Sequence, residues 1–168
     1  MKPYFIVIFL LILFSSCKKE LQQTIENPKF VRTWYDTVQG MPFRAKLSIK
    51  ENNSFEYSSR SCQDGSKSSG IWKIEKDTII LNSIKPKGCL FQHPFGVICV
   101  PFNEPYSRDY KTIKDCEPSG REASYEIFEN EKFILRNDTL IYTNKVKDNC
   151  PNIRIAFSTK EKVRRSSK

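Results

Sequence analysis

The chain has 168 residues, with 28 Lys plus Arg against 19 Asp plus Glu, a formal net charge of +9. At 39% hydrophobic and 12% aromatic residues, this composition describes one ordinary folded domain. It excludes a disordered tail, a collagen-like chain, a long coiled coil and a multi-span membrane protein. A single His and the lack of a dense carboxylate cluster leave little material for a metal enzyme or a general acid/base site.

Met1-Lys2 supplies a positive start, residues 5–14 form an unbroken apolar run, and Ser15-Ser16-Cys17 follows. A bilayer-spanning helix needs about 20 apolar residues, so residues 1–16 read as a signal peptide that is removed, not as a permanent span. The sequence Leu13-Phe14-Ser15-Ser16-Cys17 resembles the lipobox of bacterial lipoproteins, with Phe14 where Leu is usual. The resemblance implies that Cys17 carries lipid, that residues 17–28 are a tether, and that the membrane is a partner through this anchor. By resemblance to other Gram-negative lipoproteins, the absence of Asp after Cys17 implies the outer membrane, with the face left open. At about 0.8 kcal/mol per buried methylene, several acyl chains hold far more firmly than a single myristoyl group.

Cys62, Cys89, Cys99, Cys116 and Cys150 remain, all in a chain expected to enter an oxidising compartment, so disulfides are expected among them. Five is odd; at most two bridges form within the chain, and the connectivity is open. Cys89, His93 and Cys99 are the residues that a soft-metal site or a Cys-His pair would use. They lack the close Cys-x-x-Cys spacing and the fourth ligand a zinc site needs, so no metal or cofactor is expected. His93, followed by Pro94, reads as a surface or turn residue.

From residue 30 onward the hydrophobic pattern has period two. Residues 46–50 and 55–58 flank turn chemistry at 51–54, and residues 70–74 and 78–81 are joined at Lys76-Asp77. With a strand at 31–35 they predict a five-strand meander ending near Ser83. Residues 84–123 hold five Pro and three Cys and predict a long, partly irregular excursion, stapled by its cysteines, with one strand-like run at 96–102. Strand signals return at 124–128, 132–136, 139–142 and 153–157, and no window carries a helical stripe. A weak repeat superposes residues 72–80 on 133–141, two hairpins whose Lys-Asp and Asn-Asp turns suit the left-handed conformation that Asn and Asp tolerate. Residues 160–168 form a basic tail with five cations, read as solvated, with anionic headgroups the other option.

Asn27-Pro28-Lys29-Phe30-Val31-Arg32-Thr33-Trp34-Tyr35-Asp36 resembles the first-strand motif of the lipocalins at the Lys29-Phe30 pair, Trp34 and Tyr35, with Arg32 in place of the motif's Gly. Arg108-Asp109-Tyr110 faintly echoes the family's second motif, and Gly70-Ile71-Trp72 is similar to a later motif of small lipocalin-like bacterial lipoproteins. The implied fold is all-β: an antiparallel barrel or half-open barrel of eight to ten strands spanning 29–159, with a two-sheet sandwich as the alternative. Its inward residues would include Trp34, Leu47, Ile49, Phe55, Tyr57, Trp72, Ile74, Phe133, Leu135 and Tyr142. A barrel of this size is either filled by side chains or holds one small ligand, and bulky interiors favour filling.

Two functions follow for a non-enzymatic protein. One is a tethered binding protein for a small apolar or amphipathic molecule, with Trp34, Phe55, Tyr57 and Trp72 lining the pocket. The other is a protein–protein module of the envelope, an inhibitor, immunity factor or assembly accessory. Its contact surface would be the excursion, with Phe91, Phe95, Phe102, Tyr106, Arg108 and Tyr110 as anchors, because aromatics and Arg dominate interface energetics. Export makes nucleic acid an unsuitable partner despite the positive charge.

Overall fold

The fold is that of a computed structural model, which describes residues 29–37, 44–61, 65–96, 110–121, 123–144 and 154–161. Among these lie ten strands and no helix: β1 (Thr33–Asp36), β2 (Arg44–Ile49), β3 (Ser54–Arg60), β4 (Gly65–Glu75), β5 (Thr78–Ser83), β6 (Phe91–Pro94), β7 (Ser124–Ile127), β8 (Glu131–Arg136), β9 (Thr139–Tyr142) and β10 (Ala156–Ser158). Neighbours pair antiparallel from β1 through β5, then β5 with β8, β8 with β9 and β9 with β10. The pairs Tyr35↔Ser158 and Asp36↔Phe157 join β10 back to β1. An eight-strand antiparallel barrel is thereby closed, and the two-sheet sandwich is set aside because its sheets would keep open edges.

The period-two pattern decides which side chains fill it. On β2, Ala45, Leu47 and Ile49 are buried between exposed or half-buried neighbours; Phe55 and Tyr57 do the same on β3. All ten residues expected to point inward belong to or pack against one buried cluster, which also takes in Phe30, Ile79, Leu81, Phe95, Phe128, Leu140 and Phe157. Turns fix the register. Asn137 and Asp138 both have positive φ, 46° and 55°, as the two-residue turn between β8 and β9 demands. Between β4 and β5 it is Lys76, φ 59°, that takes the left-handed position expected of Asp77; the register Glu75↔Thr78 leaves it no other.

The two barrel ends differ in chemistry. At one end, here called the floor, Phe30 and Trp34 are fully buried, and the Trp34 indole N–H donates to the Phe30 carbonyl at 2.9 Å. Trp72 donates likewise to the Lys50 carbonyl at 2.9 Å. Arg32, standing where the lipocalin motif has Gly, leaves this end packed: its guanidinium lies 5.5 Å from the centre of the Trp34 ring. The opposite end, the mouth, is where β4 outruns β5 while β3 stays paired with it as far as Arg60↔Gly65. Gly70 pairs with Phe55 on one side and Ser83 on the other, and a Cβ there would lie 2.1 Å from the Asn82 carbonyl oxygen. Beyond Ser83 the edge of β4 is taken over by β7, which runs parallel to it through Ser66↔Ser124 and Lys67↔Tyr125.

The excursion departs from its expected form. Its strand β6 lies at Phe91–Pro94, ahead of the expected run; of that run Gly96 turns away with φ 79° and residues 97–102 lie outside the described residues. His93, expected on a surface or in a turn, is half-buried in this strand. β6 pairs with β7 in parallel, an arrangement that needs a long crossover, which the excursion supplies. The amides of Phe91 and Phe95 donate to the Ala123 and Ile127 carbonyls, while the Gln92 amide points the other way to Tyr110. Pro94 shares the orientation of Gln92, so its missing N–H costs nothing in the β6–β7 ladder.

Candidate functional site

β6 runs toward the barrel and delivers Phe95 into the mouth. The Phe95 ring stacks on Phe128 at 4.2 Å and meets Tyr57 at 5.6 Å, Tyr142 at 5.3 Å and Phe133 at 5.8 Å. The next residue, Gly96, passes so close to Tyr142 that a Cβ would lie 2.9 Å from its hydroxyl. The excursion therefore closes the mouth with its own side chain. The four residues expected to line a ligand pocket all sit in this packed cluster: Trp34 and Phe55 are 0% exposed, Tyr57 4% and Trp72 6%.

Around the aromatic plug lies a band of polar groups. The Glu126 carboxylate accepts from the hydroxyls of Ser59, at 3.0 Å, and Ser66, with the Tyr57 hydroxyl as a further partner. Burial pushes its pKa up despite these donors, which oppose the shift. The Tyr57 hydroxyl is held far above its ordinary value by burial first and then by Glu126. Asp36 accepts from the Ala45 amide at 2.6 Å, and Glu131 accepts from Tyr142 at 2.6 Å and Asn144 at 2.8 Å. Burial and the Glu131 carboxylate raise Tyr142 as well. Ser68 is buried on the same inward face of β4 as Ser66, and its hydroxyl has no hydrogen-bond partner among the described residues. This band was not found from the sequence. Residues 65–69 carry no apolar alternation, so the first half of β4 gave no strand signal.

Outside the mouth, the excursion forms a stapled ribbon. Residues 110–112 lie antiparallel to the start of β6 through the Phe91↔Lys111 bridge, with Gln92 donating to Tyr110 and Thr112 to Leu90. Buried Thr112 pins it: its hydroxyl donates to the Gly88 carbonyl at 2.6 Å and accepts from the Leu90 amide at 2.9 Å. A Cys89–Cys116 disulfide closes the ribbon, as the cysteine content led us to expect. Lys111 reaches the Cys116 carbonyl at 2.8 Å. Among the described residues, three large apolar side chains remain exposed here: Tyr110 at 64%, Ile84 at 60% and Ile113 at 46%. Lys85, Gln92, Tyr110, Lys111, Thr112, Lys114 and Asp115 surround an open groove of about 560 Å³.

Of the expected contact anchors, Phe91 is half-buried in β6, Phe95 fills the mouth, and Tyr110 is the exposed one. Phe102, Tyr106 and Arg108 lie outside the described residues, as do Cys17, Cys62, Cys99 and Cys150. Among the described residues no group of three His, Cys, Asp or Glu is placed to hold a metal ion, and no helix is long and apolar enough to cross a membrane. No protein-family profile, curated protein or solved structure matches the chain.

Proposed function

We propose that this chain is a lipid-anchored envelope protein without enzymatic activity, a binding module whose contact surface is the stapled ribbon. The observation that carries this reading is the division of labour within the excursion. It fills the barrel mouth with Phe95 and holds Ile84, Tyr110 and Ile113 out to solvent on a disulfide-closed frame. Exposed aromatic and aliphatic side chains on a rigid support are what interface hot spots require, because little ordering entropy is lost when they bind. The leader and Cys17 supply the anchor, and the outer membrane is its proposed location.

A photo-crosslinking amino acid at Tyr110, at Ile113 or, as a control on the barrel wall, at Tyr35 tests this in the intact envelope. Crosslinks to an envelope protein at 110 and 113, but none at 35, are expected. An even distribution among the three would defeat the reading. A Cys17→Ser variant released from the membrane fraction is the expected result for the anchor.

A second reading, a small amphipathic ligand held in the barrel, is favoured by the unpartnered hydroxyl of Ser68 in the polar band. Such a ligand would have to displace Phe95. Native mass spectrometry of the full chain, exported and oxidised, separates the two. A retained small molecule supports the second reading, and an adduct-free mass supports the first.

A further inference from the structure

We propose that the ribbon's outer edge docks an acidic, extended segment of a protein partner; this rests on the ribbon being the contact surface. Residues 110–112 are the last strand-like segment of the sheet among the described residues. Because Tyr110 and Thr112 turn their backbone groups toward β6, Lys111 presents its amide N–H and carbonyl to the open side. An edge of this kind, unpaired among the described residues, is a template for strand addition, where main-chain hydrogen bonds give affinity and flanking side chains give selectivity.

The flanking side chains select for negative charge. Lys85, Lys111 and Lys114 all line the groove beside this edge, with Asp115 the one acid on its wall among the described residues. The Lys111 ammonium is engaged by the Cys116 carbonyl and Glu117. Lys85, Lys87 and Lys114 are exposed and form no ion pair among the described residues. Over the described parts of the excursion, 84–96 and 110–121, five Lys and Arg stand against two acids. Tyr110 and Ile113 add apolar contact beside the charges.

Two other occupants fit less well. A second copy would bring the same cations face to face, in a chain whose net charge is already +9. The bilayer that holds the anchor lies at the wrong end. The chain enters β1 at the floor through Lys29 and Phe30, whereas the ribbon is attached beyond Ser83 at the mouth.

The test uses the full chain, expressed with its own leader and purified with the Cys89–Cys116 bridge intact, and a fluorescein-labelled hexaglutamate peptide read by anisotropy. The double reversal Lys85→Glu/Lys114→Glu is expected to weaken binding at least about tenfold, while Lys46→Glu on the barrel wall changes it less than about twofold. The neutral pair Lys85→Gln/Lys114→Gln should fall between, which guards against misfolding of the reversed variant. Equal loss in Lys46→Glu overturns the proposal, since the attraction is then diffuse. So does displacement of the peptide by equimolar inorganic phosphate, or binding to phosphatidylglycerol vesicles with none to the peptide. Absent peptide binding with crosslinking at 110 retained overturns the acidic partner and leaves the contact surface standing. Absent crosslinking with peptide binding retained overturns the contact surface, and the proposal with it.

Discussion

Glu126 places a carboxylate in the barrel mouth that three hydroxyls only partly compensate. Burial raises its pKa in the folded protein above the ordinary 4.5, so the native state holds this proton more tightly than the unfolded chain does. Its contribution to stability is therefore fully present below the unfolded value and is lost as pH rises through the folded one. Glu126→Gln removes that dependence and keeps a carbonyl acceptor for Ser66. Urea midpoints measured from roughly pH 4 to 8 should show the wild type losing ground to the variant as pH rises. A difference that stays constant across this range would mean that the carboxylate titrates normally. Gly70 is constrained differently, by space. On the β5 side an added Cβ meets the Asn82 carbonyl oxygen at 2.1 Å and the Ser83 Cα at 2.6 Å, backbone atoms that cannot swing aside, and on the β3 side it meets a ring carbon of Phe55 at 2.7 Å. Gly70→Ala should cost about 3 kcal/mol, read as a shifted denaturation midpoint, because β4 and β5 must separate and the Phe55 ring must shift to admit one methyl group.

The elements divide into a barrel held by packing and a ribbon held by a covalent staple. The disulfide spans 27 residues, for which the chain-entropy estimate is about 3–4 kcal/mol of stabilisation. Cys89→Ser/Cys116→Ser should therefore raise amide exchange at residues 88–92 and 110–112 on the order of 100-fold while leaving β2 and β3 unchanged. Uniform loss of protection would show that the ribbon and barrel unfold as one unit. The same division governed what could be read from the sequence. β2 and β3 announce themselves because one face of each is buried and the other wet, so apolar and polar residues alternate, while β5, β8 and β9 show as short apolar runs bounded by turn residues. The first half of β4 and the whole of β6 do not. Gly65–Ser69 places serines inward, toward Glu126, and Phe91–Pro94 contains a proline whose tolerance depends on which edge its nitrogen faces. Those strands exist because of partners far along the chain, Ser124 to Ile127 above all, and local pattern carries no record of them. The polar band at the mouth was missed for the same reason, since Ser59, Ser66 and Glu126 meet only once the barrel closes.

At the scale of the whole molecule, the antiparallel pairing of β1 with β10 and the position of β7 on β4 place the two ends of the barrel in different service. The chain comes into β1 at the floor, where Phe30 and Trp34 seal the interior. β10 leaves at that same end, so Lys160 lies at the end where the chain enters β1. An acyl anchor and a basic segment acting together bind an anionic surface more firmly than either does alone. The ribbon, by contrast, extends the mouth. An anchored molecule should then rest floor-down and offer Tyr110 and Ile113 away from the lipid. Fluorescent amino acids at Glu51, in the floor-end turn between β2 and β3, and at Ile113 on the ribbon test this with nitroxide-headgroup lipids as quenchers. Strong quenching at 51 and little at 113 is expected in the lipidated protein, with both signals lost in Cys17→Ser. Stronger quenching at 113 would turn the molecule over, bring the lysines of the groove against the headgroups, and make the bilayer the partner of the ribbon.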